Sequence, residues 1–251
     1  MCWFVIGTAT SHSTKPTSGQ VAGYPAKAGI QLIQEPRVAR QTVLVCCAEC
    51  KINPLDSRLR GNDGTDSLEH PALGVFYGYD FHLNTQGAHL IEINTNAGGA
   101  FLNALLIESQ GVTSEGLNET FLEMFRNEWR LARGDAPLTT IAIVDEKPES
   151  QYLYPEFLLA KAMFERAGIK AHIVDPSGLQ AREEGLYAGN QKIDLIYNRL
   201  TDFSLQQFPH IRSAHEKQQV VLTPNPSHYQ RYADKSKLAW LTDSVLMRSA
   251  G

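Results

Sequence analysis

The chain has 251 residues, 43% of them hydrophobic and 20% charged, with a formal net charge of −4 at pH 7. That balance suffices for a buried core and excludes a disordered chain, while the acidic excess argues against a nucleic-acid binder, which needs a basic face. No apolar run reaches the roughly 18–20 residues of a membrane span, and the apolar start Met1–Ala9 lacks the basic residues of a signal peptide, so the expected location is the cytoplasm. Residues 1–68 show no sustained period of 3.6 or 2 and are rich in Thr, Ser, Gly, Pro and Arg.

Two pieces of this segment, Pro25–Gln31 (PAKAGIQ) and Leu55–Gly61 (LDSRLRG), are codon-compatible as reverse complements in one frame. They resemble the peptides that palindromic DNA repeats give when translated. Residues from about 20 to 66 therefore read as a repeat-derived insert with poor order, apart from a short strand at Thr42–Cys46. The Cys47–Cys50 pair lies between the two arms and has no second ligand pair at zinc-site spacing, so its thiols read as incidental.

From Pro71 onward the pattern is regular. Gly74–Phe81 and His89–Asn94 read as two strands joined by the turn Asn84–Gly87. Gly98–Ser109 reads as a helix opening at a Gly pair. Ser114–Arg133 reads as a long helix with Ser114 as N-cap and Leu117, Phe121, Met124, Phe125, Trp129 and Leu131 mostly on one face. Gly134–Pro137 marks a boundary. Strands follow at Thr140–Val144, Lys170–Val174, Ile193–Asn198 and Gln219–Thr223, with helices at Tyr154–Ala167, Pro209–Gln218 and Asp234–Met247 and a small hairpin at Leu186–Lys192. Short continuous apolar strands alternating with helices predict a mostly parallel sheet. The expected organisation is an N-terminal extension (1–68), a β/α segment (69–136) and a parallel-sheet domain (137–251).

Candidate site residues gather at strand ends. Glu92 and Asn94 are two apart and share a strand face, with Asp80 on the partner strand. Two carboxylates and an amide oxygen form a hard-oxygen set suited to Mg²⁺. Asn96, Gly98 and Gly99 precede a helix, where backbone N–H groups can cradle an anion. Asn198 and Arg199 close an apolar strand; the guanidinium can grip a carboxylate or phosphate, or form an internal ion pair with Asp194 or Asp202. Asp145 and Glu146 read as turn acids, with a ligand role as the alternative. Lys235 opens the last helix and suits a ligand contact or a plain surface charge. No Walker loop, dinucleotide fingerprint or nucleophile elbow is present.

The order of these parts resembles the circularly permuted ATP-grasp ligases, especially glutathione synthase of the eukaryotic type and, more loosely, glutathionylspermidine synthase. The matching positions are Asp80, Glu92–Thr95 (EINT), Tyr197–Arg199 (YNR), Thr223–Pro226 (TPNP) and Asp234–Lys235, across about residues 71–245. The resemblance implies an α/β fold in which a Rossmann-like (pre-ATP-grasp) parallel sheet with helices on both faces follows a partial ATP-grasp β/α segment. It implies Mg²⁺ on Glu92 and Asn94 supported by Asp80, substrate carboxylate on Arg199 and ATP-dependent carboxylate–amine ligation through an acylphosphate. ATP and Mg²⁺ are the implied cofactors. The family's lysine-bearing strand, lid and further acidic ligand are not found, so the expectation is a fragment inactive alone. The alternatives are a non-catalytic module that binds an amino acid or peptide carboxylate, and a truncated gene product without function.

Overall fold

The computed structural model describes residues 74–111, 114, 116–242 and 245, together with the strands β1 (Trp3–Thr8) and β2 (Arg40–Cys47). The inverted-repeat arms and the Cys50 end of the cysteine pair lie outside the described residues, as does the end of the expected last helix.

Strands β3 (Phe76–Asn84) and β4 (Gly87–Asn94) form the expected hairpin, closed by a two-residue turn at Thr85-Gln86. β2 pairs antiparallel with β3, which extends the expected short strand at Thr42–Cys46 to eight residues, and β1, which the sequence pattern does not announce, pairs with β2. The β3–β4 ladder is regular from Gly78↔Asn94 to Asp80↔Glu92, then shifts so that Phe81 faces Leu90. Ile91 is the extra residue, and such a bulge re-aims the side chains on either side of it.

Helices α1 (Ala100–Ser109) and α2 (Leu117–Arg133) follow. The N-cap of α2 is Gly116 in the left-handed region, φ 85°, not Ser114; the Ser114 hydroxyl instead donates to the Glu108 carboxylate. Leu117, Phe121, Met124, Phe125 and Trp129 are buried on one face, together with Glu128. Leu131 is 39% exposed, so the expected stripe stops at Trp129.

The second sheet comprises β5 (Thr140–Val144), β6 (Lys170–Val174), β10 (Leu195–Asn198) and β11 (Val221–Thr223), all parallel, in the order β11-β10-β5-β6. α3 (Tyr154–Arg166) links β5 to β6, and α4 (Pro209–Glu216) links β10 to β11. Between β6 and β10 lies a three-stranded antiparallel sheet of β7 (Leu179–Arg182), β8 (Gly185–Ala188) and β9 (Gln191–Lys192); the expected hairpin gains β7 as a third strand. After β11 come α5 (Pro226–His228), a π-helical turn over Tyr229–Ala233 and α6 (Lys235–Thr242).

The parallel sheet separates two cores. Ile141, Ile143, Leu195, Tyr197 and Val221 pack with Phe76, Phe101, Phe121, Phe125 and Phe164 on one face. Ala142, Val144, Ile196 and Leu222 pack with Leu186, Ile211 and Ala214 on the other. The aromatic part is dense: Phe125 meets Phe164 and Tyr197 edge-on at 4.9 Å, and Phe76 meets Phe121 at 5.4 Å. The first core therefore crosses residue 136. The architecture is mixed α/β with a four-stranded parallel sheet flanked by helices. No helix among the described residues is long and apolar enough to cross a membrane.

Candidate functional site

The strand order places the site. From β5 the chain steps to β6 on one side and later to β10 on the other. The helices after β5 and β10 therefore pack on opposite faces of the sheet, and the topology switches between the carboxyl ends of these two strands. That switch point is where open α/β sheets bind ligands. Asp145 follows β5 there, and Arg199 follows β10, its N–H donating to the Val144 carbonyl at 2.9 Å.

Arg199 is buried. Its Nη1 donates to the carbonyls of Asn96 (2.5 Å) and Ala97 (3.1 Å), and its guanidinium lies 5.4 Å from the centre of the Tyr197 ring. Asn96 completes the clasp by donating from Nδ2 to the Leu200 carbonyl at 3.4 Å. The turn between β4 and α1 is thus tied to the end of β10. Gly98 is required there by close approach: a Cβ would come within 2.5 Å of Leu153 Cδ1 and 3.0 Å of Arg199 Nη2. Gly99 has φ 96°, which favours glycine.

Neither Asp194 nor Asp202 pairs with Arg199. Asp194 Oδ2 accepts from Thr139 N, Thr139 Oγ1 and Thr140 N at 2.7–2.9 Å. Asp202 accepts from Ser204 Oγ and Gln207 N. The acids that feel Arg199 are Asp145 and Glu156.

Glu156, in the first turn of α3, is the residue sequence reading missed. It is 1% exposed, and its Oε2 accepts from Gly99 N–H at 2.6 Å. The backbone N–H groups of Ala100 and Leu102, at the start of the same helix, also favour its charged form. The anion cradle expected at the Gly pair is thus filled from within. Burial raises the Glu156 carboxyl above its ordinary value, against the opposing pull of Arg199 and the three N–H groups. A signal was present: Glu156 stands on the stripe Glu156, Ala160, Met163, all buried, and a lone acid on an apolar stripe marks an internal partner. Asp145, half-buried, is also raised, first by burial and against the Glu146 N–H and Arg199. Its Oδ1 accepts from Glu146 N at 2.8 Å, the turn role expected of it.

Asn198 spends both ends of its amide on the fold. Nδ2 donates to the Pro224 carbonyl and Oδ1 accepts from Leu200 N, each at 3.1 Å. This ties β10 to the TPNP loop, where the Thr223–Pro224 bond is cis. Asn225 caps α5, accepting from Ser227 and His228 N–H while its own N–H donates to His228 Nδ1.

The expected metal residues form a second group. Asp80 and Glu92 are directly paired across β3 and β4, so both side chains share a face, and Asn94 is two residues along. Asp80 is buried. Lys235 Nζ lies 3.2 Å from Glu92 Oε2, an ion pair with the lysine 71% exposed. The neighbouring Asp234 accepts from Ser236 N–H, which lowers its pKa. The donor chemistry of Asp80, Glu92 and Asn94 fits a hard divalent cation, though Glu92 is engaged by Lys235. Among the described residues no group of three or more His, Cys, Asp or Glu is arranged to hold a metal ion. The two groups meet at the end of β4, where Asn94 is followed by Thr95 and Asn96.

Comparison with protein-family models gives no match, and comparison with curated proteins gives none either.

Proposed function

We propose that the chain carries the substrate-side part of an ATP-dependent carboxylate–amine ligase of the permuted ATP-grasp type, with a Rossmann-like substrate domain. The observation that carries this reading is the meeting of separate motifs: the strand-end turn after Asn94 is clasped by Arg199 at the end of β10. Asp80, Glu92 and Asn94 would hold Mg²⁺, which supplies neutralisation of phosphate charge. Arg199 with Asp145 borders the switch point, where a small carboxylate or amine would be oriented. Lys235 stands beside the metal residues, where an ammonium favours a nucleotide phosphate.

A second reading is a non-catalytic module for a small carboxylate. The Glu92–Lys235 bridge favours it, because the lysine already balances the carboxylate that a metal would need.

Titration of amino acids and short peptides into the full chain, with and without Mg²⁺ and ATP, separates the two. The ligase reading expects carboxylate binding that requires Mg²⁺ and is lost in Glu92→Gln. The module reading expects binding indifferent to both. No binding under any condition removes both readings.

A further inference from the structure

Arg199 spends Nη1 on the Asn96 and Ala97 carbonyls, but its buried Nε meets no acceptor among the described residues. Three further buried atoms in the same region have no partner there either: Thr95 Oγ1, Thr223 Oγ1 and Asn225 Nδ2. Thr95 is 1%, Thr223 0%, Asn225 3% and Arg199 7% exposed, so bulk water does not serve these atoms. Buried polar atoms are nearly always hydrogen-bonded, and four orphans at one junction call for a cause. Thr223 closes β11 in register with Tyr197 of β10, so the two side chains leave the same face of the sheet. The Arg199 guanidinium lies 5.4 Å from the centre of that Tyr197 ring. Asn225 follows two residues after Thr223, across the loop that Asn198 Nδ2 holds through the Pro224 carbonyl at 3.1 Å. Thr95 precedes Asn96, whose carbonyl Arg199 holds at 2.5 Å. The loops after β10 and β11 touch again farther along, where Phe203 and Tyr229 stack at 4.5 Å.

The hydrogen-bonding inventory of these four atoms selects a ligand. Arg199 Nε–H can only donate. Asn225 Oδ1 already accepts from Ser227 N, Ser227 Oγ and His228 N, which fixes the orientation of the amide and leaves Nδ2 a pure donor. The Thr95 and Thr223 hydroxyls can donate or accept. Two obligate donors and two adaptable hydroxyls match a primary carboxamide, whose carbonyl takes two hydrogen bonds and whose NH2 gives two. Charge points the same way. Arg199 is already opposed by Asp145, which follows the Val144 carbonyl that Arg199 N–H holds, and by Glu156, bonded to Gly99 beside it. An added anion would meet one guanidinium and two acids, whereas a neutral amide brings no charge to bury. We infer that the junction of the turn after β4 with the loops after β10 and β11 binds a neutral primary carboxamide, held by Arg199 Nε, Asn225 Nδ2 and the Thr95 and Thr223 hydroxyls. The inference goes beyond the proposed function and stands without it, since it calls on neither the metal residues nor a nucleotide.

The test titrates the full chain, without Mg²⁺ or nucleotide, with acetamide and with acetate, two probes of the same shape that differ in charge. Ionic strength is matched with chloride, and NMR reads the Arg199 Nε–H and Asn225 Nδ2–H resonances directly. Acetamide should shift both to saturation and bind at least about tenfold more tightly than acetate. Thr95→Val and Thr223→Val keep the side-chain shape and remove hydroxyls that bond nothing else. Both variants should therefore hold the wild-type urea midpoint, and each should bind acetamide about fivefold more weakly, the worth of one hydrogen bond. Acetate binding as tightly as acetamide overturns the choice of a neutral ligand. Neither resonance moving by about 1 M acetamide, or an affinity unchanged in both valine variants, overturns the site. A urea midpoint that falls steeply in both valine variants overturns it as well, because those hydroxyls would then have partners within the chain. The ligase reading is tested separately with Mg²⁺ and ATP, so its failure leaves these outcomes readable.

Discussion

At the residue scale, Arg199 and Glu156 decide how the two sheets meet. Arg199→Ala would remove the clasp and leave the Asn96 and Ala97 carbonyls without their donor. A buried polar group left unsatisfied costs about 1–3 kcal/mol, so the urea midpoint should fall. Arg199→Met combined with Glu156→Gln removes both charges, with Asp145 the one remaining acid that Arg199 opposed, and should lose less than the sum of the single changes; an additive double variant would mean that the two do not interact. Glu156 also carries a pH signature. Its folded carboxyl is raised above the ordinary 4.5, so the folded state holds the proton more tightly than the unfolded chain. Stability from this group is therefore greatest at low pH and declines as pH rises from 4.5 through the folded value. Urea midpoints from about pH 4 to about pH 7 should show wild type losing ground to Glu156→Gln across that window and running parallel above it. Wild type gaining on Glu156→Gln as pH rises would reverse the assignment. Gly98→Ala tests the close approach: the added methyl meets Leu153 and Arg199, and overpacking of this kind costs about 1–3 kcal/mol.

At the element scale, α2 shows why period outweighs hydrophobicity. Leu131 is two residues beyond Trp129, about 200° around the helix, and so faces solvent. Leu131→Ala should change stability by less than about 0.5 kcal/mol, whereas Trp129→Ala should cost about 3 kcal/mol or more. Thermal melts of the two variants check this, and comparable losses would mean a rotated helix. The same logic explains what was legible. The apolar run TIAIV marks β5 to the residue, because a strand buried on both faces reads as an unbroken apolar segment; KAHIV, the edge strand β6, is only partly buried and is marked by Ala171, Ile173 and Val174 after the Gly168 helix stop. β7 (LQAR) is largely exposed and carries no such signal. The bulge at Ile91 is invisible in a pattern that reads as simple alternation. The π-helical turn after α5 has neither strand nor α period, although Tyr229 in it stacks on Phe203 at 4.5 Å and Tyr232 meets Tyr77 edge-on at 5.6 Å. Of the candidate site, the shared face of Asp80, Glu92 and Asn94 was legible because side chains alternate along paired strands. Glu156 was legible only as an acid on an apolar stripe; its partner was not, because the Gly99 N–H lies 57 residues away.

At the scale of the whole molecule, the first core determines how the chain unfolds. Composition and the Gly134–Pro137 break suggest a boundary near residue 136, and a boundary between independent units would have few apolar contacts across it. Yet Phe76, Phe121 and Phe125 from before it share a core with Ile141, Phe164 and Tyr197 from after it. Tyr197 contacts Phe76 and Phe125 directly, and Trp129 Nε1 donates to the Ala136 carbonyl at 2.5 Å. The clasp of Arg199 on Asn96 and Ala97 adds polar contacts across the same line. Separating the parts would expose the aromatic face of the parallel sheet to water, at a cost that grows with roughly 25 cal/mol per Å² of apolar surface. The residues on both sides of 136 should therefore melt as one cooperative unit. Near-ultraviolet dichroism, which reports packing around the aromatic side chains on both sides of residue 136, and far-ultraviolet dichroism, which reports helices throughout, should give coincident urea transitions. Phe125→Ala, which cuts the core at its centre, should move both curves together, by about 3–5 kcal/mol. If instead the variant splits the transitions, with helical signal surviving the loss of aromatic packing, then the parallel sheet stands without the β3–β4 and α1–α2 segment, and the end of β10 would have to keep Arg199 buried without the turn that Arg199 holds.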